Sequence, residues 1–176
     1  MDIKHEFSRI YDQYLNRIYR FVFLRVNSLE IAQDIVSETF SRAWVKYSEI
    51  RNPKHEIRNW SAFLYQIARN LITDFYREKG KFQIVSASFP GSDPASTEDL
   101  EAKAILSSDM VQIRKALSRL GQEQQEMVIW RYLDGLSTKE IAEISGKPEG
   151  TVRVICHRAL EAVRKQLNNE QLSNEQ

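Results

Sequence analysis

One cysteine in 176 residues leaves no partner for an internal disulfide. Cys156 therefore reads as a small buried hydrophobe rather than a redox switch. Histidine is just as sparse, and His5, His55 and His157 are too scattered in the chain to argue a metal site. The six glycines build no phosphate-cradling loop, and the four prolines (Pro53, Pro90, Pro94, Pro148) act as punctuation. No apolar run approaches the ~20 residues that span a bilayer. The first residues, Met-Asp-Ile-Lys-His-Glu, lack a signal-peptide pattern, so a cytoplasmic protein without membrane insertion is expected. Strand-like alternation and internal repeats are absent as well. No set of carboxylates, histidines or nucleophiles suits catalysis, so the expectation is no catalytic residue, no metal and no cofactor.

What the chain does contain is helical periodicity and an uneven spread of charge. The formal net charge is only +1. Residues 1–57 hold nine basic and eight acidic side chains, and residues 58–81 hold five and two. Residues 82–109 invert the balance with one basic and five acidic, and 110–167 return to ten and seven. Two basic segments thus flank an acidic one, and distribution matters more than the sum for nucleic-acid binding.

The stretch from Leu133 to Leu167 carries the clearest local signals. Ser137 with Glu140 three residues on predicts a capping box, which opens a helix. Ile141, Ala142 and Ile144 give that helix an apolar side, and Ser145-Gly146 stops it. Pro148 suits the first turn of a second helix. A short capped helix, a Gly-containing turn and a longer helix describe a helix-turn-helix. In the second helix Val152, Cys156, Ala159, Val163 and Leu167 recur as an apolar stripe. Thr151, Arg153, Val154, His157 and Arg158 then fall on the N-terminal half of the other side, the half that enters a major groove. A plain amphipathic helix with a solvated basic face is the competing reading.

Upstream, residues 5–26 repeat aromatic and aliphatic side chains at three- and four-residue steps, with Arg17, Arg20 and Arg25 expected outside. Ser28 can cap a second helix reaching about Tyr47, with Ile31, Ile35, Val36, Phe40, Ala43 and Trp44 inward. Asp34, Glu38 and Arg42 lie four apart in one row, which from spacing alone is a solvated polar face. Arg51 to Glu56 reads as a loop. A third helix, about Trp60 to Glu78, takes its core from Phe63, Leu64, Ile67, Ala68, Leu71, Ile72 and Phe75. Arg58, Asn59, Trp60, Tyr65, Arg69, Asn70, Arg77 and Lys79 mix basic, amide and aromatic groups, which suits single-stranded nucleic acid and equally suits a half-aromatic core. Gly80 to Thr97 is a linker by composition. Helical pattern resumes near Glu98, and a helix from Gln122 to Tyr132 feeds the helix-turn-helix.

Three of these segments together resemble the bacterial sigma-70 family of RNA polymerase sigma factors, in its short, extracytoplasmic-function (ECF) form. Asp34-Ile35-Val36-Ser37-Glu38-Thr39-Phe40-Ser41-Arg42-Ala43-Trp44 is similar to the family's signature helix. Ile67-Ala68-Arg69-Asn70 with Asp74 and Arg77 is similar to its promoter-melting helix. Leu136-Ser137 with Glu140-Ile141-Ala142, Gly150-Thr151-Val152 and Arg158-Ala159 resembles its C-terminal helix-turn-helix. The chain departs from the pattern at Phe63, where Trp is usual, at Gly121, where Pro is usual, at Val154-Ile155-Cys156, and at Pro148.

The resemblance implies an all-α fold: two small helical domains joined by a flexible linker, the C-terminal one containing the helix-turn-helix. The expected bounds are 1–81, an acidic linker 82–109, 110–168, and a tail 169–176. It implies that Asp34, Ile35, Glu38, Thr39 and Arg42 bind polymerase, on a coiled coil of the β′ subunit. Arg58, Asn59, Trp60, Arg69, Asn70, Asp74 and Arg77 would bind the −10 strand, and Thr151, Arg153, Val154, His157 and Arg158 the −35 duplex. The implied partners are the core polymerase (β′ and β subunits), promoter DNA and an anti-sigma factor. The implied setting is the cytoplasm, on the nucleoid when active. Without the resemblance, a stand-alone helix-turn-helix regulator is the alternative.

Overall fold

A computed structural model describes residues 3–26, 28–49, 57–86 and 108–174. The expected loop Arg51 to Glu56, the stretch from 87 to 107 that holds most of the linker, and the pattern resuming near Glu98 lie outside them. Among the described residues every regular element is helical. The chain divides into two compact units, Met1–Ala104 and Ile105–Gln176.

The first unit is a three-helix bundle of α1 (Ile3–Val26), α2 (Leu29–Glu49) and α3 (Trp60–Ser86), each packed on the other two. The Ser28 hydroxyl accepts the Ile31 amide at 3.4 Å and its carbonyl accepts the Ala32 amide at 3.0 Å, so α2 starts where a serine cap predicts. Ile18, Phe21, Val22, Ala32, Val36, Phe40, Ala43, Leu64, Ala68 and Ile72 form the core.

Three details of this unit depart from expectation, and one open reading is decided. Arg25 is buried, not outside, because the last turns of α1 are enclosed on all sides from Phe21 to Val26. The Tyr76 hydroxyl on α3 donates to the Arg25 carbonyl there. Of the two readings open for Tyr65, the core one holds: it is fully buried against Phe21, ring centroids 5.3 Å apart. Phe63, Ile67, Leu71 and Phe75 are only half-buried; the innermost row of α3 is Leu64, Tyr65, Ala68 and Ile72. Finally, α3 continues through Gly80 to Ser86, past the expected boundary at 81. A single glycine in a helix costs only ~1 kcal/mol relative to alanine, too little to end one by itself.

The second unit comprises α4 (Ser108–Ser118), α5 (Gln122–Val128), α6 (Thr138–Ser145) and α7 (Glu149–Asn174). The long α7 packs against each of the other three. The helix expected from Gln122 to Tyr132 instead widens into a π-helical turn over Ile129–Leu133. Its signature is the Asp134 amide reaching back five residues to the Ile129 carbonyl at 2.9 Å. The widened turn keeps Trp130 and Ile129 in the core while Gly135, at φ +71°, reverses the chain toward Leu136. The residues expected as a tail continue α7 through Asn174.

Candidate nucleic-acid and protein interfaces

The helix-turn-helix forms as its caps dictate. Ser137 Oγ accepts the Glu140 amide at 3.2 Å, and Glu140 Oε2 accepts the Ser137 amide at 2.8 Å, closing the capping box reciprocally. Gly146 terminates α6 in the left-handed conformation, φ +71°, with its amide on the Ala142 carbonyl at 2.9 Å. Pro148 sits just before α7 rather than in its first turn; its carbonyl accepts the Val152 amide at 3.1 Å. Lys147 Nζ pairs with Glu123 Oε1 at 2.8 Å and ties the turn to α5.

On α7 the two faces separate cleanly. Val152, Cys156, Ala159 and Val163 are buried, while Thr151, Arg153, Val154, His157 and Arg158 are all exposed. Burial pushes the Cys156 thiol up from its ordinary range, with Arg131 acting weakly the other way. Val154 is 49% exposed, an apolar side chain among polar ones on the outward face. Arg153 Nη2 donates to Glu149 Oε1 at 2.6 Å, and Thr138 Oγ1 donates to the same oxygen at 2.6 Å. These two bonds, the Thr138 hydroxyl first and Arg153 second, hold the Glu149 carboxyl below the usual carboxylate range. Neither Glu149 nor Thr138 was singled out by sequence. The i,i+4 spacing of Glu149 and Arg153 is a signal that could have found the first; nothing local finds Thr138, on another helix.

The α2 row divides. Asp34, Glu38 and Arg42 are exposed, and Arg42 Nε pairs with Glu38 Oε1 at 2.6 Å. Ile35 and Thr39, 8% and 0% exposed, face into the bundle, and the Thr39 hydroxyl donates to the Ile35 carbonyl at 2.7 Å. At i+1 from Asp34 and Glu38, a helix turns both residues about 100° away from that row. Beside the exposed row a shallow depression of about 380 Å³ is lined by Glu38, Ser41, Arg42, Val45, Lys46 and Glu49.

On α3 the expected residues fall into three groups. Asn59 is the helix cap: its Oδ1 accepts the Ala62 amide at 3.0 Å and its carbonyl the Phe63 amide at 3.1 Å. Trp60 is half-buried in an aromatic cluster, its ring 5.2 Å from Tyr47 and 6.0 Å from both Phe7 and Phe63. Its place is thus at the rim of the core. Arg58, Asn70 and Arg77 are exposed, Arg69 and Asp74 half-buried, and Arg77 Nη2 pairs with Asp74 Oδ1 at 2.6 Å. Asn70, Asp74 and Arg77 follow one another at helical spacing and form a polar stripe. Among the described residues no group of His, Cys, Asp and Glu is arranged to hold a metal, and no helix is long and apolar enough to cross a membrane.

The family descriptions "Sigma-70 region 2" and "Sigma-70, region 4" match residues 10–82 and 110–163. The ECF RNA polymerase sigma factor BldN of Streptomyces coelicolor is 33% identical over 165 residues, 93% of this chain but 61% of that protein's length. SigW of Bacillus subtilis, also an ECF RNA polymerase sigma factor, is 31% identical over 171 residues, covering 93% of this chain and 89% of SigW. Among solved structures, the sigma factor RpoE in complex with the anti-sigma factor NepR from Bartonella quintana superposes with a TM-score of 0.70. That match covers 95% of this chain and 97% of RpoE at 24% identity, a likeness of fold. With its two matched regions in order and SigW similar over nearly its whole length, the chain belongs to the sigma-70 family of RNA polymerase sigma factors, in the ECF group.

Proposed function

We propose that this chain is a promoter-specificity subunit that docks on core RNA polymerase, opens the −10 element and reads the −35 element. The observation that carries the reading is α7. Its inner stripe is buried in its own unit, and Thr151, Arg153, Val154, His157 and Arg158 stand exposed together on its N-terminal half. Asp34, Glu38 and Arg42 offer the exposed polar row for the polymerase β′ subunit. Ile35 and Thr39 support that row from beneath. For the −10 strand, Arg58, Asn70 and Arg77 are the exposed groups, with Arg69 and Asp74 at the edge. Asn59 and Trp60 shape the start of the helix that carries them. The polymerase performs the nucleotide chemistry, and this chain supplies recognition in the cytoplasm, on the nucleoid while active. An anti-sigma factor is its proposed inhibitor, supported by RpoE with NepR and by a second match in fold, CnrH with the cytosolic domain of CnrY.

Reconstitution tests the reading. The full chain should co-purify with core polymerase and confer promoter-dependent transcripts. Binding to symmetric duplex sites without polymerase, and no transcripts with it, would instead make it a stand-alone helix-turn-helix regulator.

A further inference from the structure

Two hydrogen bonds converge on one carboxylate oxygen at the start of the proposed reading helix. Thr138, the first residue of α6, and Arg153, one turn into α7, both donate to Glu149 Oε1 at 2.6 Å. An exposed i,i+4 ion pair alone is weak and leaves two flexible side chains free to wander. Here the carboxylate has a second anchor on a different helix, and that helix is itself fixed by its capping box. The Glu149 side chain is 42% and the Arg153 side chain 65% exposed, so both stand within reach of a ligand.

The chemistry asks why an acid is there at all. A carboxylate beside a duplex repels phosphates, so a helix selected only for affinity would do better without it. An arginine, however, has five donors in a rigid fork. With one nitrogen held by a braced acceptor, the remaining donors point in a set direction, and bidentate guanine reading depends on direction. An acid in the first turn also suits the helix dipole, which is the purely structural account of the same residue. The dipole needs no Thr138, and it predicts no effect at a particular base pair.

We infer that Glu149, braced by Thr138, is a positioning residue that orients Arg153 for base reading at the −35 element. The inference rests on the reading of α7 as the −35 helix, and the test separates the two. Holoenzyme assembled from core polymerase and the full chain is offered a duplex library randomised over the upstream region, and the bound sequences are read. Wild type is compared with Arg153→Ala, Glu149→Ala, Thr138→Val and the Glu149→Ala/Arg153→Ala double variant, each first checked for folding by circular dichroism. Arg153→Ala should flatten the preference at one base pair. Glu149→Ala should reduce discrimination at that same pair by about three- to tenfold, part of the range a bidentate contact supplies, while raising affinity for unrelated DNA. Thr138→Val should do the same more weakly, and the double variant should be no flatter than Arg153→Ala alone. A uniform loss across all sequences in Glu149→Ala would reduce the residue to a helix-dipole role and overturn the inference. Unchanged discrimination in Glu149→Ala, with a flattened position in Arg153→Ala, would overturn it and leave the −35 reading standing. No flattened position in Arg153→Ala would remove base reading by Arg153, and the positioning role with it.

Discussion

Asn59 carries two demands that a single substitution to alanine confuses. As the cap of α3 it satisfies the Ala62 amide, and removing such a cap costs about 1 kcal/mol. Asn59→Ala should therefore lower stability by about that amount in denaturant titration, whatever it does to promoter opening. Asn59→Ser keeps an acceptor for the amide and deletes the carboxamide edge, so comparing opening rates in the alanine and serine variants separates the lost cap from the lost edge. Asn70 is exposed and caps nothing, so Asn70→Ala should change stability by less than ~0.5 kcal/mol. A slowed opening there reports the DNA face directly, and normal rates would take Asn70 out of melting. Cys156 illustrates the opposite case, a side chain whose chemistry is switched off by its surroundings. It is 3% exposed with its thiol pushed up by burial. A thiol-reactive dye should label it only after denaturant unfolds the second unit; fast labelling of the native protein would mean that α7 opens locally.

At the scale of elements, the helix-turn-helix depends on Gly146 holding φ +71°, where a side chain is strained even though the space around its Cβ position is open. Gly146→Ala should cost about 1–2 kcal/mol for that reason alone. Gly121, in ordinary extended backbone at φ −62°, ψ 154°, should accept alanine nearly freely. The junction of α6 and α7 also has a pH signature. Glu149 has a folded pKa below its ordinary 4.5, so its contribution is complete above that value and is lost as pH falls through the lower folded one. The difference in Tm between wild type and Glu149→Gln should stay flat from neutral pH down to about 4.5 and narrow below it; a difference that vanished near neutral pH would contradict the bonding seen. Caps of this kind were legible in the sequence because they are local: Ser137, Glu140 and Gly146 act within a few residues. The π-helical turn at Ile129–Leu133 was not, because it follows from where Trp130 must be buried and how Gly135 turns the chain. Arg25 was misplaced, and Tyr65 left open between core and surface, for the related reason that periodicity finds one buried side of a helix, whereas their helices touch neighbours on more than one side. The polar row Asp34, Glu38 and Arg42 was readable from spacing, and so was the inward side of Ile35; Thr39, grouped with the row by resemblance, also points into the core.

In the proposed reading each of the two units carries its own recognition surfaces, and each holds a core of its own. Replacing Asp34 and Glu38 with Ala tests the first unit's outer row: both are exposed, so folding should persist while affinity for core polymerase falls. Unchanged affinity in the folded double variant would return the row to solvent. A core substitution tests the second unit in the reverse sense. Ile141 on α6 is fully buried, and Ile→Ala at such a site removes contacts and leaves a cavity, costing about 2–5 kcal/mol. The three tryptophans divide usefully, with Trp44 and Trp60 in the first unit and Trp130 in the second. Trp130 is fully buried, so its fluorescence is a direct witness of its own unit's unfolding. Single-tryptophan versions, with the others changed to Phe, should show Ile141→Ala shifting the Trp130 transition to lower denaturant. The Trp44 transition should stay in place, because Ile141 belongs to the core of the second unit. Function should follow the same division, with −35 recognition lost at temperatures where polymerase binding survives. A common shift of both transitions would mean that the units fold as one body. The separation of polymerase docking from −35 reading would then have to be sought in the surfaces alone.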